Sequence, residues 1–272
     1  SFQVANAQSN VNSAAKAVES ALAASQNEKK ATKVATWMKL AQTYIDAYSA
    51  PAGNVWLGAD MNSLQLSMGS EKPSSVETVT IGGVQYTKQV YENKNLYFNA
   101  NGQLAVIEVT KPVVEDALSK ALEAYKKAYE LDEKHSKDKD ISAGIKTISE
   151  KFNQEAYNSY TLGDVKQAEA YFEAAVEAAA QKPYGQIDTS SLYNAAFTSW
   201  SIENFAKAKT LFDKCLSYGY YGDNGEVFAK LSDCVSRIDT TAAGKASAKD
   251  YLEQGFQKFP TSESIVFGLI NY

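Results

Sequence analysis

One short pattern recurs at a fixed interval and limits what this chain can build. An alanine is followed four residues later by a bulky side chain and three after that by a small one. The instances are Ala168-x3-Phe172-x2-Ala175, Ala208-x3-Phe212-x2-Cys215 and Ala248-x3-Leu252-x2-Gly255, so the leading alanines are evenly spaced. Bulky residues stand upstream at Phe152, Leu192 and Phe228, at equal distances in the first two cases and further off in the last, where Thr240–Gly244 lengthens the loop. Steps of four and seven keep residues on one face of a helix. A period of this size marks stacked supersecondary units, none of which buries its apolar face alone. Each unit reads as a helix hairpin, closed tightly by small residues such as Ala156, Ala168, Ala196 and Ala208.

The periodicity extends beyond the repeats. Val11, Ala14, Ala15, Val18, Ala21 and Leu22 form a helical stripe, and Val34, Trp37, Leu40, Ala41, Tyr44 and Ile45 form another that Pro51 and Gly53 stop. A short helix is predicted over Met61 to Met68. Val79, Ile81, Val84, Tyr86 and Val90 then alternate with polar residues around Gly82-Gly83, and Leu96 to Phe98 and Leu104 to Val109 flank Asn101-Gly102. These are hairpin signals, and they predict a meander of about four antiparallel strands. Pro112 sits where a helix would begin. Further helices are predicted at 141–160, 164–181, 189–202, 205–217, 225–238, 245–258 and from 263. Residues Glu133 to Lys139 read as a charged linker.

The second stripe and the residues after the meander carry a family likeness. Trp37-x2-Leu40-Ala41-x2-Tyr44, then Ala121-x3-Tyr125-x2-Ala128, then Pro260 at a repeat end, resemble the tetratricopeptide repeat (TPR). Trp37 and Ala121 lie much further apart than the family's spacing, so the hairpin-rich stretch is inserted between the two helices of one repeat. The leading alanines of the later repeats are also more widely spaced than the family's usual period, and Glu155 and Ser159 stand where Leu and Tyr are expected. The resemblance implies a mainly α fold: a right-handed TPR-like solenoid of helix hairpins with an inserted antiparallel β-meander. The parts would be 1–51, an N-terminal helix and the first helix of repeat 1; 52–111, the inserted α+β domain; and 112–272, the remaining repeats, the last one incomplete.

Composition narrows the chemistry. A net charge of −5, with Arg237 the one arginine among 27 basic residues, argues against nucleic acid. No apolar run reaches the length of a membrane-spanning helix. Two cysteines exclude a disulfide scaffold; Cys215 and Cys234 read as a buried thiol pair, with a disulfide between them as the alternative for an exported protein. His135 is the single histidine, so Ser/His/Asp catalysis would have to run through a linker. Asp138-x-Asp140-x-Ser142 misses the calcium-loop positions for Gly and Glu by one each. The glycines form no phosphate loop. The reading is of no catalytic residue, no cofactor and no metal.

What stands out is aromatic. Tyr157, Tyr160, Tyr193, Phe197 and Trp200 fall on the first helices of two successive repeats, on faces turned from the small-residue seam. In the family those helices line a concave groove for peptides, so the five residues are the candidate peptide groove. The resemblance implies a non-enzymatic scaffold for a peptide or protein partner. The alternatives are a structural subunit of an envelope assembly docking through the meander, and, more remotely, a carbohydrate-binding or enzymatic module. Ala5-Asn6-Ala7 fits the small-x-small pattern before a signal-peptidase cut, so the expectation is a protein that is periplasmic or otherwise exported in a Gram-negative bacterium, with a cytoplasmic protein as the alternative. The apolar stripe of Ile265, Val266, Leu269 and Ile270 suggests end-to-end self-association through the C-terminal helix.

Overall fold

The computed structural model describes residues 2–272, with side chains from residue 10; Ala5-Asn6-Ala7 lies outside the described side chains. The described residues are mainly helical and carry one small sheet. In order they form α1 (Phe2–Gln26), α2 (Val34–Ser49), α3 (Met61–Met68), β1 (Ser75–Ile81), β2 (Val84–Val90), β3 (Lys94–Phe98), β4 (Leu104–Val109) and α4 (Ala117–Leu131). Then follow α5 (Asp138–Thr161), α6 (Val165–Ala180), α7 (Thr189–Ser201), α8 (Phe205–Ser217), α9 (Glu226–Ile238), α10 (Ala242–Lys258) and α11 (Glu263–Ile270). They separate into two compact units, one of Ser1–Gln154, Thr161–Gly163 and Ala178–Gln186, the other of Glu155–Tyr160, Asp164–Glu177 and Ile187–Tyr272.

In the first unit α2 packs against α1 and α4. The apolar stripe of α2 turns inward, with Leu40, Ala41, Tyr44 and Ile45 buried, and α4 answers with Ala121, Tyr125 and Ala128. Gly144 of α5 sits directly under the Tyr125 ring, which would overlap any Cβ built there. Between α2 and α4 the chain forms α3 and an antiparallel meander in the order β1-β2-β3-β4. The first hairpin turns at Gly82-Gly83, both at positive φ, where glycine alone is unstrained. The last does not turn at Asn101-Gly102 in two residues, as the dipeptide predicts. Phe98 pairs with Leu104 across a wider connection, and the Asn99 side chain organises it by accepting the amides of Asn101 and Gln103. Leu64, Met68, Tyr91, Leu96, Phe98 and Leu104 form an apolar cluster belonging to α3 and the sheet.

Two turns between successive helices share one local design. The hairpin turn between α5 and α6 has Gly163 at φ 86, followed by Asp164, whose carboxylate accepts the Gln167 amide at 3.1 Å. At the turn between α7 and α8 Glu203 takes φ 63, and Asn204 accepts the Lys207 amide at 3.3 Å. In both turns the cap's own amide reaches back along the preceding helix, to Ser159 and to Ser199, at 2.9 Å. These are N-caps placed by the sequence at the helix start. Beyond them α7 packs on α8, α8 on α9, α9 on α10, and α11 on both α9 and α10. Every residue of the recurring frame is buried: Ala168, Phe172 and Ala175; Ala208, Phe212 and Cys215; Ala248, Leu252 and Gly255. A Cβ at Gly255 would stand 2.8 Å from Ile265 and from Phe228, so the third frame closes around the absence of a side chain.

Three helix starts differ from the sequence expectation: α10 begins at Ala242 instead of 245 and takes in part of the Thr240–Gly244 stretch read as loop. α4 starts at Ala117, well past Pro112, because Asp116 takes a left-handed backbone (φ 53) that holds the preceding residues out of the helix. α5 starts earlier than 141, at Asp138, because Asp132 accepts the Lys137 amide at 2.7 Å and the Ser136 hydroxyl at 3.2 Å, ordering much of the expected linker.

Since α3 and the sheet own an apolar cluster while α2 packs directly on α4, replacing residues 52–111 by a short Gly/Ser linker should leave a cooperative helical melt by circular dichroism. Loss of the cooperative transition would show that the helices depend on the sheet.

Candidate functional site

The five predicted aromatics do not share one environment. Tyr157 and Tyr160, on the last turns of α5, are 46% and 45% exposed. Tyr193, Phe197 and Trp200 succeed one another along one face of α7 as a ladder, with ring centroids 6.3 Å and then 5.9 Å apart. Tyr193 and Trp200 are not turned from the seam as expected. Both pack as partly buried residues against the apolar cluster of Leu192, Ala196, Ala208 and Phe212. Their polar ends are tied to α9: the Tyr193 hydroxyl donates to Glu226 at 2.6 Å and the Trp200 indole N–H to Asp233 at 2.7 Å. A buried Tyr or Trp needs such a partner. Lys230 of α9 lies 3.7 Å from the Trp200 ring centroid and 5.7 Å from that of Phe197, a cation–π lid over the ladder.

Tyr157 joins this surface by another route. Its ring meets Phe172 edge-on at 5.3 Å, and its hydroxyl accepts from the Asn194 amide at 3.0 Å. Tyr157 stands to Phe152 as Phe197 stands to Leu192, and Tyr160 and Trp200 keep the same correspondence one turn on. The surface is thus the same pair of helix positions used twice, held by hydrogen bonds at its back. Neither these partners nor Lys230 was legible in the sequence.

A second cluster in the same unit escaped sequence reasoning. Glu169 and Glu173 stand four apart on α6, where like charges normally repel. Lys207 of α8 reaches both, at 3.3 Å and 2.7 Å, and the Ser199 hydroxyl of α7 donates to Glu169 at 3.2 Å. Burial, at 6% exposure, and the neighbouring Glu173 carboxylate push the Glu169 carboxyl up to about 7 against the pull of Lys207. Burial alone would raise Glu173 too, but hydrogen bonds from Glu169 and Lys207 outweigh it and hold that carboxyl below its usual range. The like-charge spacing on α6 was the one sequence signal for a cation arriving from elsewhere.

The remaining reactive groups are arranged for packing. Cys215 and Cys234 are free, lie in the apolar cluster, and burial pushes both thiols up to about 12, so neither supplies a thiolate. His135, at φ 55, lies tilted against Tyr129 with ring centroids 5.4 Å apart and contacts Asp138 at 3.3 Å. Asp138 and Asp140 belong to the first turn of α5. Lys94 of β3 is buried and paired with Glu71 at 3.1 Å. On α11, Ile265 is buried while Phe267 and Ile270 are exposed. In the first unit an open cleft of about 380 Å³ lies among Met38, Gln42 and Ile45 of α2, Tyr125 of α4, and Asp140, Ala143, Gly144 and Thr147 of α5. No described helix is long and apolar enough to cross a membrane.

No protein-family model matches the chain, and no curated protein matches it.

The carboxylate cluster sets a pH dependence. The folded-state pKa of Glu169, about 7, exceeds its ordinary value of 4.5, so the folded chain holds a proton that the unfolded chain has lost. Its contribution is fully present below about pH 4.5 and is lost as pH rises through 7. Glu169→Gln keeps a neutral hydrogen-bonding group. Between about pH 5.5 and 8 urea unfolding should show the native chain losing on the order of 1 kcal/mol more than the variant. Parallel curves would place the titration elsewhere.

Proposed function

We propose that this chain is a non-enzymatic scaffold of the TPR type, a short solenoid of helix hairpins that binds a peptide or protein partner on its aromatic surface. The nearest-neighbour packing of α7 to α11 supports that reading, as do the buried frame and the turn that recurs at Gly163-Asp164 and Glu203-Asn204. The observation that carries it is the ladder of Tyr193, Phe197 and Trp200 beside Tyr157, fixed from behind by Glu226, Asp233 and Asn194. Aromatic rings supply large contact area at low entropic cost, and side chains already locked lose little more on binding. Phe197 and Tyr157 are the contact residues of this reading. Tyr193 and Trp200 position them.

A second reading has its own observation. Leu66 of α3 is 86% exposed, and Trp56, Val76 and Val84 are exposed with it, which suits docking through the inserted segment.

Selection of a random nonapeptide display library on the immobilised chain separates the two. Binders should weaken by about 2 kcal/mol or more in the double variant Tyr157→Ala, Phe197→Ala, with a cooperative thermal melt retained, as hot-spot truncation does. Binders that ignore that variant but vanish when residues 52–111 are removed would favour the second reading.

A further inference from the structure

The cleft of the first unit has a chemistry of its own, and its residues are not those of the aromatic ladder. Its floor is Tyr125, only 4% exposed. Gly144 leaves the room that the Tyr125 ring occupies. The hydroxyl of this ring has no hydrogen-bond partner among the described residues and opens into the cleft. A tyrosine this deeply buried ordinarily has its hydroxyl satisfied by the protein. Here the hydroxyl instead reaches solvent, in an open cleft of about 380 Å³ that is within the size range of small-ligand sites.

The walls and rim define what fits. Met38 and Ile45 give an apolar flank. Among the described residues Asp140 stands on the rim without a salt bridge, and the side chain of Asp46, one turn beyond Gln42, is held only by the Gln42 amide at 2.9 Å. Both carboxylates act on the Tyr125 hydroxyl, which burial and their negative charge keep from ionising. No lysine or arginine lines the cleft. An apolar flank, a hydroxyl oxygen able to accept and two uncompensated carboxylates together suit a long aliphatic stem that ends in a cation. Lysine and arginine are the side chains of that description, and the volume leaves room for the backbone on either side of one.

We infer that the cleft between α2 and α5 binds a lysine or arginine side chain presented by an extended segment of a partner protein, its cationic end held by Asp140, Asp46 and the Tyr125 hydroxyl. The inference stands apart from the ladder, so either can fail alone. Its carboxylate rim faces a cation, the opposite of a site built to grip a peptide's terminal carboxylate.

The test is an amide NMR titration with acetyl-Gly-Leu-Arg-Leu-Gly-amide, with the same peptide carrying citrulline, the neutral isostere, and with free arginine amide. The arginine peptide should shift the Gly144 and Thr147 amides saturably, and citrulline should weaken binding at least tenfold. Asp140→Asn, a surface change, and Tyr125→Phe, which keeps the ring over Gly144, should each weaken it several-fold at an unchanged melting temperature. Equal binding of the citrulline peptide, indifference to Asp140→Asn, or shifts confined to residues 155–200 would overturn the inference. So would free arginine amide binding as tightly as the peptide, which would make this a small-cation site.

Discussion

The helical part of this protein depends on how closely antiparallel helices can approach. Ala196 and Ala208 are fully buried at the contact of α7 and α8, and Gly255 has Ile265 and Phe228 against the place of its missing side chain. Phe212, Leu231 and Phe228 are almost wholly buried around these contacts. Close approach brings polar groups on facing helices within hydrogen-bonding reach. Glu226 and Asp233 meet Tyr193 and Trp200 because α9 lies close enough to α7 for a single side chain to span the gap. The Glu169–Glu173–Lys207 cluster joins α6 to α8 in the same manner. The partly buried carboxylate pair is compensated there by the Lys207 ammonium, and burial beside Glu173 favours a proton on Glu169.

Much of this was readable in advance. Local periodicity placed nearly every helix, because steps of three and four leave a clear stripe in residues such as Leu40, Ala41, Tyr44 and Ile45. The recurring frame named core residues directly, and all of its positions are buried. What escaped is set by neighbours distant in sequence or by competing local chemistry. Asn101-Gly102 suggests a two-residue turn, but the Asn99 side chain captures two amides and makes a wider loop. Pro112 offers a helix start, and the positive φ of Asp116 defers it.

The candidate site was legible in its residue types and not in its environment. Five aromatics were visible, but their exposure is decided by partners remote in sequence: Glu226, Asp233 and Asn194. Tyr193, Trp200 and Tyr157 are tied by hydrogen bonds, whereas Phe197 is held by ring contacts alone. The cleft under Tyr125 was less visible still. The sequence pattern marks Tyr125 only as the bulky member of a packing frame, and nothing local says that its hydroxyl meets no acceptor among the described residues.

The dependence on the seam is tested most directly by enlarging it at one point beside a matched control. Ala208 is buried in the contact of α7 with α8, whereas Ala206, on the same helix two residues away, is exposed. Leucine is nearly as good a helix former as alanine, so helix propensity contributes little to either change. Urea unfolding should show Ala208→Leu losing about 1–3 kcal/mol through overpacking, and Ala206→Leu staying within about 0.5 kcal/mol of the native chain. Equal and small losses at both positions would mean that the helices are not held at closest approach, and would contradict the account.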